Sequence, residues 1–206
     1  GEIAVRIVRA CQESSIDSVA IYADAERHAL HVKKATEAYN IGPDPVAGYL
    51  NAHRIVNLAV ASGCDALHPG YGFLSENPEL AHICKRRGIK FIGHDADVIR
   101  NMGNKIEARR SMQAAGVPVV PGSDASLTGI AEAVALAANI KYPVMLKATS
   151  GGGGRGIRRC NSEAELRRNY ERVLSEARKA FGSAEIFLEK CVDRPRHIEV
   201  QILADQ

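Results

Sequence analysis

The sequence predicts an α/β fold in two parts: a parallel sheet with helices on its faces, then a second α/β unit built around a glycine loop. Three observations carry this. Through residues 2–92, short apolar runs alternate with helical stretches of about 10–15 residues, the spacing of strands joined by helical crossovers. Gly116 followed by Pro118 forms a helix stop that closes the first half. Beyond it, Tyr142-Pro-Val-Met-Leu146 runs into Lys147-Ala-Thr-Ser-Gly-Gly-Gly-Gly-Arg-Gly156.

Taken in order, residues 2–14 read as a helix, with Ile3, Ile7 and Ala10 on one face. Ser18–Tyr22 is a strand, 26–34 a charged helix-like stretch and Ala38–Ile41 a short apolar run. Ile41-Gly-Pro-Asp-Pro45 is a turn cluster. Residues 52–62 form an amphipathic helix that stops at Gly63, before the strand Asp65–His68. His68-Pro-Gly-Tyr-Gly-Phe-Leu-Ser-Glu-Asn77 is a loop leading into a helix that ends near Gly88, and Ile89–Ile92 is the next strand. Helices at 95–102 and 104–115 follow, then an extended Val117–Pro121. The second unit reads as helix 128–139, strand 143–148, glycine loop, strand 157–160, helix 162–180 and strand Ile186–Glu189. Ser162-x-x-Glu165 is a capping box. Asp193-Arg-Pro195 is a turn, and the alternating His197–Leu203 begins a third sheet.

A chain of 206 residues can hold one or two domains with real cores. It is 46% hydrophobic and 25% charged, ordinary for a globular protein. A net charge of +3 gives no argument for nucleic acid. No apolar run approaches the roughly 18 residues of a membrane span, and no signal peptide is visible. Five scattered cysteines without a C-x-x-C pair read as reduced thiols, and the seven histidines lack metal-ligand spacing. The helical period starts at residue 1 without an N-cap, and the alternating run 197–203 lacks a pairing partner. Both ends therefore suggest a piece of a longer protein.

The glycine loop is the strongest functional signal. Four glycines in a row are costly to order, and the usual gain is close approach of backbone N–H groups to a phosphate. Lys147, on the strand before them, supplies a point charge for the same phosphate chain. The plain alternative is a flexible hairpin tip. A P-loop would place its lysine after the glycines, and a Rossmann fingerprint would run straight into a helix. Here strand-like Ile157–Cys160 follows, which suits a flap folding over a nucleotide.

Four other positions stand near strand or helix ends. Glu189 could accept from a ribose hydroxyl or an adenine amine, or be a surface glutamate. His197 could reach a phosphate or ribose, or be an ordinary edge histidine. Lys105 opens a helix against its dipole, which suggests an anion nearby or simple solvation. Tyr71, flanked by Gly70 and Gly72, leaves the C-terminal end of a parallel strand, the edge where open α/β sheets place ligands.

Read together, HPGYGFLSEN at 68–77, MGNK at 102–105, AGVPVVPGSD at 115–124, PVMLKATSGGGGRGIR at 143–158 and EKCVDRPRHIEVQILAD at 189–205 resemble the biotin carboxylase component of biotin-dependent carboxylases, in the ATP-grasp superfamily. The resemblance spans the chain. It implies a Rossmann-like domain at 1–92 lacking its first strand, a helical connection at 93–119, an ATP-grasp lid at 120–191 and the start of the main ATP-grasp sheet at 192–206. It implies that MgATP (or the Mn²⁺ form) phosphorylates bicarbonate to carboxyphosphate, which carboxylates biotin on a carrier domain. Lys105, Lys147, Gly153 and Gly154 would meet the phosphates, Glu189 and Val192 the adenine, His197 the ribose or phosphates, and Tyr71 and Gly72 the biotin. Partners would be a biotin carboxyl carrier, a carboxyltransferase and a second copy of the chain. The compartment would be cytoplasmic, or mitochondrial or plastid in a eukaryote. The family's metal glutamates and its bicarbonate-holding residues lie further along than Gln206, so no catalytic or metal residue is expected here and these residues alone should not turn over. Asn104, His94 and Ser150 depart from the family's usual aspartate, proline and glycine. Two rival readings are another ATP-grasp ligase and a nucleotide-binding scaffold subunit.

Overall fold

The computed structural model describes residues 1–149, 156–182 and 184–202. The chain divides into two compact units, Gly1–Gly103 and Asn104–Gln206.

The first unit opens with α1 (Glu2–Glu13), then β1 (Val19–Tyr22), a 3₁₀ turn at Asp24–Glu26, α2 (Leu30–Lys34) and β2 (Glu37–Asn40). α3 (Pro45–Tyr49), α4 (Ala52–Ala61), β3 (Ala66–Leu67), α5 (Pro78–Arg86), β4 (Lys90–Phe91) and α6 (Ala96–Gly103) complete it. Pairing is parallel as expected, β1 with β2 and β3 with β4, but it forms two separate two-stranded sheets. Val56 of α4 and Leu80, Ile83 and Cys84 of α5 build one core with Leu74 and Ile89. One element departs from the sequence reading. The turn cluster at 41–45 ends in the short helix α3, because Asp44 accepts from the Val46 and Ala47 amides and Pro45 occupies the first helical turn, where a missing N–H costs nothing.

The second unit runs α7 (Lys105–Ala114), α8 (Ile130–Ile140), β5 (Val144–Ala148), β6 (Ile157–Cys160), α9 (Glu163–Phe181) and β7 (Ile186–Lys190). Its sheet is antiparallel in the order β6-β5-β7, with β5 in the middle. Side chains alternate across a strand. Val144, Leu146 and Ala148, with Ile186 and Leu188, enter a core with Ala133 and Ala137 of α8 and Leu166, Tyr170, Val173 and Ala177 of α9. Met145, Lys147, Phe187 and Glu189 therefore fall on the other face.

The segment 121–127 lines the free edge of β7. Ser123 N–H donates to Leu188 O (2.7 Å), Leu188 N–H donates to Ser123 Oγ (3.1 Å), and Lys190 N–H donates to Pro121 O (2.7 Å). Gly122 sits within this contact. A Cβ there would lie 2.5 Å from Leu188 O and 2.9 Å from Glu189 Cα, so only glycine fits.

Two further expectations change. The capping box of α9 is half formed. Ser162 Oγ accepts from Glu165 N–H (3.4 Å), but the Glu165 carboxylate reaches one residue further, to Asn161 N–H (2.8 Å). The expected strand at 197–203 does not form within the described residues 191–202, which carry no regular structure. A strand needs a neighbour to take its backbone groups, and among the described residues none pairs there. Ile198, Val200 and Ile202 are 73%, 76% and 68% exposed.

Candidate nucleotide-binding site

The site begins with β5. As the middle strand it is paired on both edges, so Lys147 rises from a backbone with no freedom to slip. Lys147 lies opposite Phe187, and Met145 opposite Glu189. Lys147 and Glu189 are thus diagonal neighbours on one face, within reach for long side chains. They form a short ion pair, with side chains 24% and 20% exposed. A charge-assisted contact shielded from most solvent is stronger than a surface pair.

Lys105 is the first residue of α7. Asn104 caps that helix through Oδ1, which accepts from the Ile106 (3.0 Å) and Glu107 (3.2 Å) amides. Asparagine thus caps as an aspartate would, and the departure at residue 104 leaves the helix start intact. Lys105 Nζ donates to Thr149 O at 3.5 Å. Thr149 is buried, its N–H donating to Glu185 O (3.0 Å). Two lysines therefore lie at the end of β5, where the glycine run begins. Gly153, Gly154 and Ser150 fall outside the described residues.

The remaining positions stand apart from this pair. Val192 is 52% exposed, one residue beyond the buried Cys191, whose N–H donates to Pro143 O (3.0 Å). His197 is largely exposed, and its Nε2 lies 3.7 Å from Glu199. Among the described residues no group of three His, Cys, Asp or Glu could hold a metal ion.

In the first unit, Tyr71 is 82% exposed between Gly70 and Gly72, both with left-handed φ (+71° and +80°) that favours glycine. His68 fixes the start of this loop: its Nδ1 accepts from Gly70 N–H at 3.0 Å. Burial pushes His68 below the usual histidine range, which keeps the imidazole neutral and Nδ1 an acceptor. Phe73 stacks on Tyr49 (centroids 5.2 Å apart), and Tyr49 donates to Glu26 (2.6 Å).

Sequence reasoning missed Thr149 as the acceptor for Lys105, and missed the 121–123 segment behind Glu189. The glycine and proline of Pro121-Gly122 were a usable signal of close backbone approach.

Known proteins resemble this chain along its whole length. Residues 1–99 match the family described as "Biotin carboxylase, N-terminal domain", and residues 104–206 match "Carbamoyl-phosphate synthase L chain, ATP binding domain". The chain is 54% identical over 206 residues to the 2-oxoglutarate carboxylase small subunit of Hydrogenobacter thermophilus, covering all of this chain and 44% of that protein. The biotin carboxylase domain dimer of that organism's 2-oxoglutarate carboxylase, solved with MgADP, ADP and bicarbonate, superposes with a TM-score of 0.89 at 54% identity, over 94% of this chain and 43% of that one. A biotin carboxylase from Campylobacter jejuni in a beta-gamma-ATP complex gives 0.91 at 43% identity, over 95% and 44%. The chain spans somewhat under half the length of these relatives. With both units matched end to end and the fold shared, the chain belongs to the biotin carboxylase family.

Proposed function

We propose that this chain is the nucleotide-binding part of an ATP-dependent ligase that carboxylates carrier-bound biotin, with MgATP and bicarbonate as co-substrates and carboxyphosphate as the intermediate. The observation that carries the reading is the Lys147–Glu189 pair on the sheet face opposite the core, with Lys105 held at the end of the same strand. Two ammonium groups at the end of the strand that precedes the glycine run in sequence suit a phosphate chain, and a carboxylate beside them suits an adenine amine or a ribose hydroxyl. Phosphoryl transfer is catalysed mainly by positioning and charge neutralisation, and this arrangement can provide both.

In this reading Lys105 and Lys147 hold the phosphates, aided by backbone N–H groups of Gly153 and Gly154. Glu189 and the Val192 backbone meet the adenine, His197 the ribose or phosphates, and Tyr71 and Gly72 the biotin. Magnesium arrives as part of the nucleotide, and no residue of the chain is assigned to it. The subdivision 1–92, 93–119, 120–191 and 192–206 follows the same assignment. Partners are a biotin carboxyl carrier, a carboxyltransferase and a second copy of the chain. The compartment is the cytoplasm, or the mitochondrial matrix or plastid in a eukaryote. No helix among the described residues is long and apolar enough to cross a membrane.

The test is ATP cleavage by the full-length protein with bicarbonate, with and without free biotin. Stimulation by biotin that is lost in Lys147→Ala supports the reading. Cleavage indifferent to biotin points to an ATP-grasp ligase with another acceptor, and removes Tyr71 from a biotin site.

A further inference from the structure

We propose that Arg109 is a positioning residue that sets the separation of the Lys105 and Lys147 ammonium groups. The proposal rests on the nucleotide-binding reading above. Arg109 follows Lys105 by one helical turn on α7, so the two side chains share a face. Its side chain is only 11% exposed, which is unusual for arginine and costly unless the guanidinium has partners. Those partners lie on one segment. Arg109 donates to Val120 O, and its Nε stands 3.8 Å from the Asp124 carboxylate. Arg110 adds a bond from its guanidinium to Asp124 O (3.2 Å).

The segment from 120 to 124 is the one that lines β7. Pro121 O and Ser123 bond to Lys190 and Leu188 on either side of Glu189, and Gly122 lies against the Glu189 backbone. Glu189 in turn pairs with Lys147. Two residues on, Thr149 O accepts from Lys105. The path is a closed ring: α7, the 120–124 segment, β7, β5 and back to Lys105. Of the two arginines that join α7 to the 120–124 segment, Arg109 is the buried one. Without it, the helix face that carries Lys105 keeps only the exposed Arg110 bond to that segment and can turn against β5, while Lys147 stays fixed by its strand. A phosphate chain gripped by both ammonium groups registers that change. The nucleoside, which in this reading meets Glu189 and Val192 and not α7, does not, because Glu189 stays paired with Lys147 and its strand stays bonded to β5 and the 121–123 segment.

The experiment measures binding of ADP, and of adenosine by displacement, to the full-length protein carrying Arg109→Met or Arg109→Lys. Small misplacements of charged groups cost large factors, so Arg109→Met is expected to weaken ADP about tenfold with adenosine unchanged, and Arg109→Lys to restore part of the loss. Unchanged ADP affinity, or an equal loss for ADP and adenosine, overturns the proposal, the second result marking Arg109 as a general stabiliser. If Arg109→Met does not fold, Asp124→Ala decides, because that carboxylate is exposed and its removal spares the core. A loss of about threefold for ADP alone supports the link, and no change overturns it. Failure of the unaltered protein to bind ADP at all defeats the nucleotide reading itself, and this inference with it.

Discussion

Lys147 and Glu189 sit one row apart on adjacent antiparallel strands, and their side chains close that diagonal in an ion pair mostly shielded from water. The pair gives the lysine a fixed direction. In the proposed reading, a nucleotide phosphate must compete with a carboxylate already in place.

Glu189→Gln keeps the shape of that carboxylate and removes its charge. The lysine then lacks its counter-ion, and thermal unfolding should show a loss of about 1 kcal/mol, within the range for partly screened pairs. Glu189→Lys, with two like charges on one face, should cost more than Glu189→Gln in the same melt.

Gly122→Ala puts a methyl group 2.5 Å from Leu188 O. Either β7 or the 121–123 segment must shift, and overpacking of this kind costs about 1–3 kcal/mol. Urea denaturation should show a lower midpoint with an unchanged slope. The KM for ATP should rise as well, because the displaced backbone carries Glu189.

Leu146 is fully buried at the centre of the second unit. Leu146→Ala should cost about 2–5 kcal/mol. Leu146→Met, close in volume, should cost less than about 1.5 kcal/mol. A Leu146→Ala protein as stable as the parent would mean that this core does not form as described.

Stability should fall in mild acid. Burial holds both His31 and His68 below the ordinary value of 6.5, so the unfolded chain binds protons there that the folded chain does not. Stability is then full above about 6.5 and is lost as pH drops from that value towards the folded ones. His68 adds a local effect, since its protonation removes the Nδ1 acceptor from Gly70 N–H. Chemical denaturation across pH 7.5 to 5 should show this slope, and it should flatten in a His31→Gln, His68→Gln double variant.

Much of the fold was legible because its signals are local. The cap at Ser162, the stop at Gly116 and the apolar run at 142–146 each fix an element from within a few residues. Asp44-Pro45 was read as a turn, although the same pair also starts a helix, and the chain uses it that way. The alternation at 197–203 failed in the opposite sense, since a period of two describes a strand only when a neighbour is there to pair. The site was legible as separate residues. Lys147 and Glu189 are 42 positions apart, and their contact depends on sheet register, which composition does not encode. The same holds for Arg109, whose partners lie beyond a helix end and a proline.

The three exposed apolar side chains Ile198, Val200 and Ile202 carry a practical consequence. Any fluctuation that straightens this stretch aligns them in one greasy row, alongside backbone amides and carbonyls that can bond to another chain. Preparations of these 206 residues alone should therefore clump as concentration rises, and a charged substitution at Val200 should keep them dispersed without disturbing either folded core.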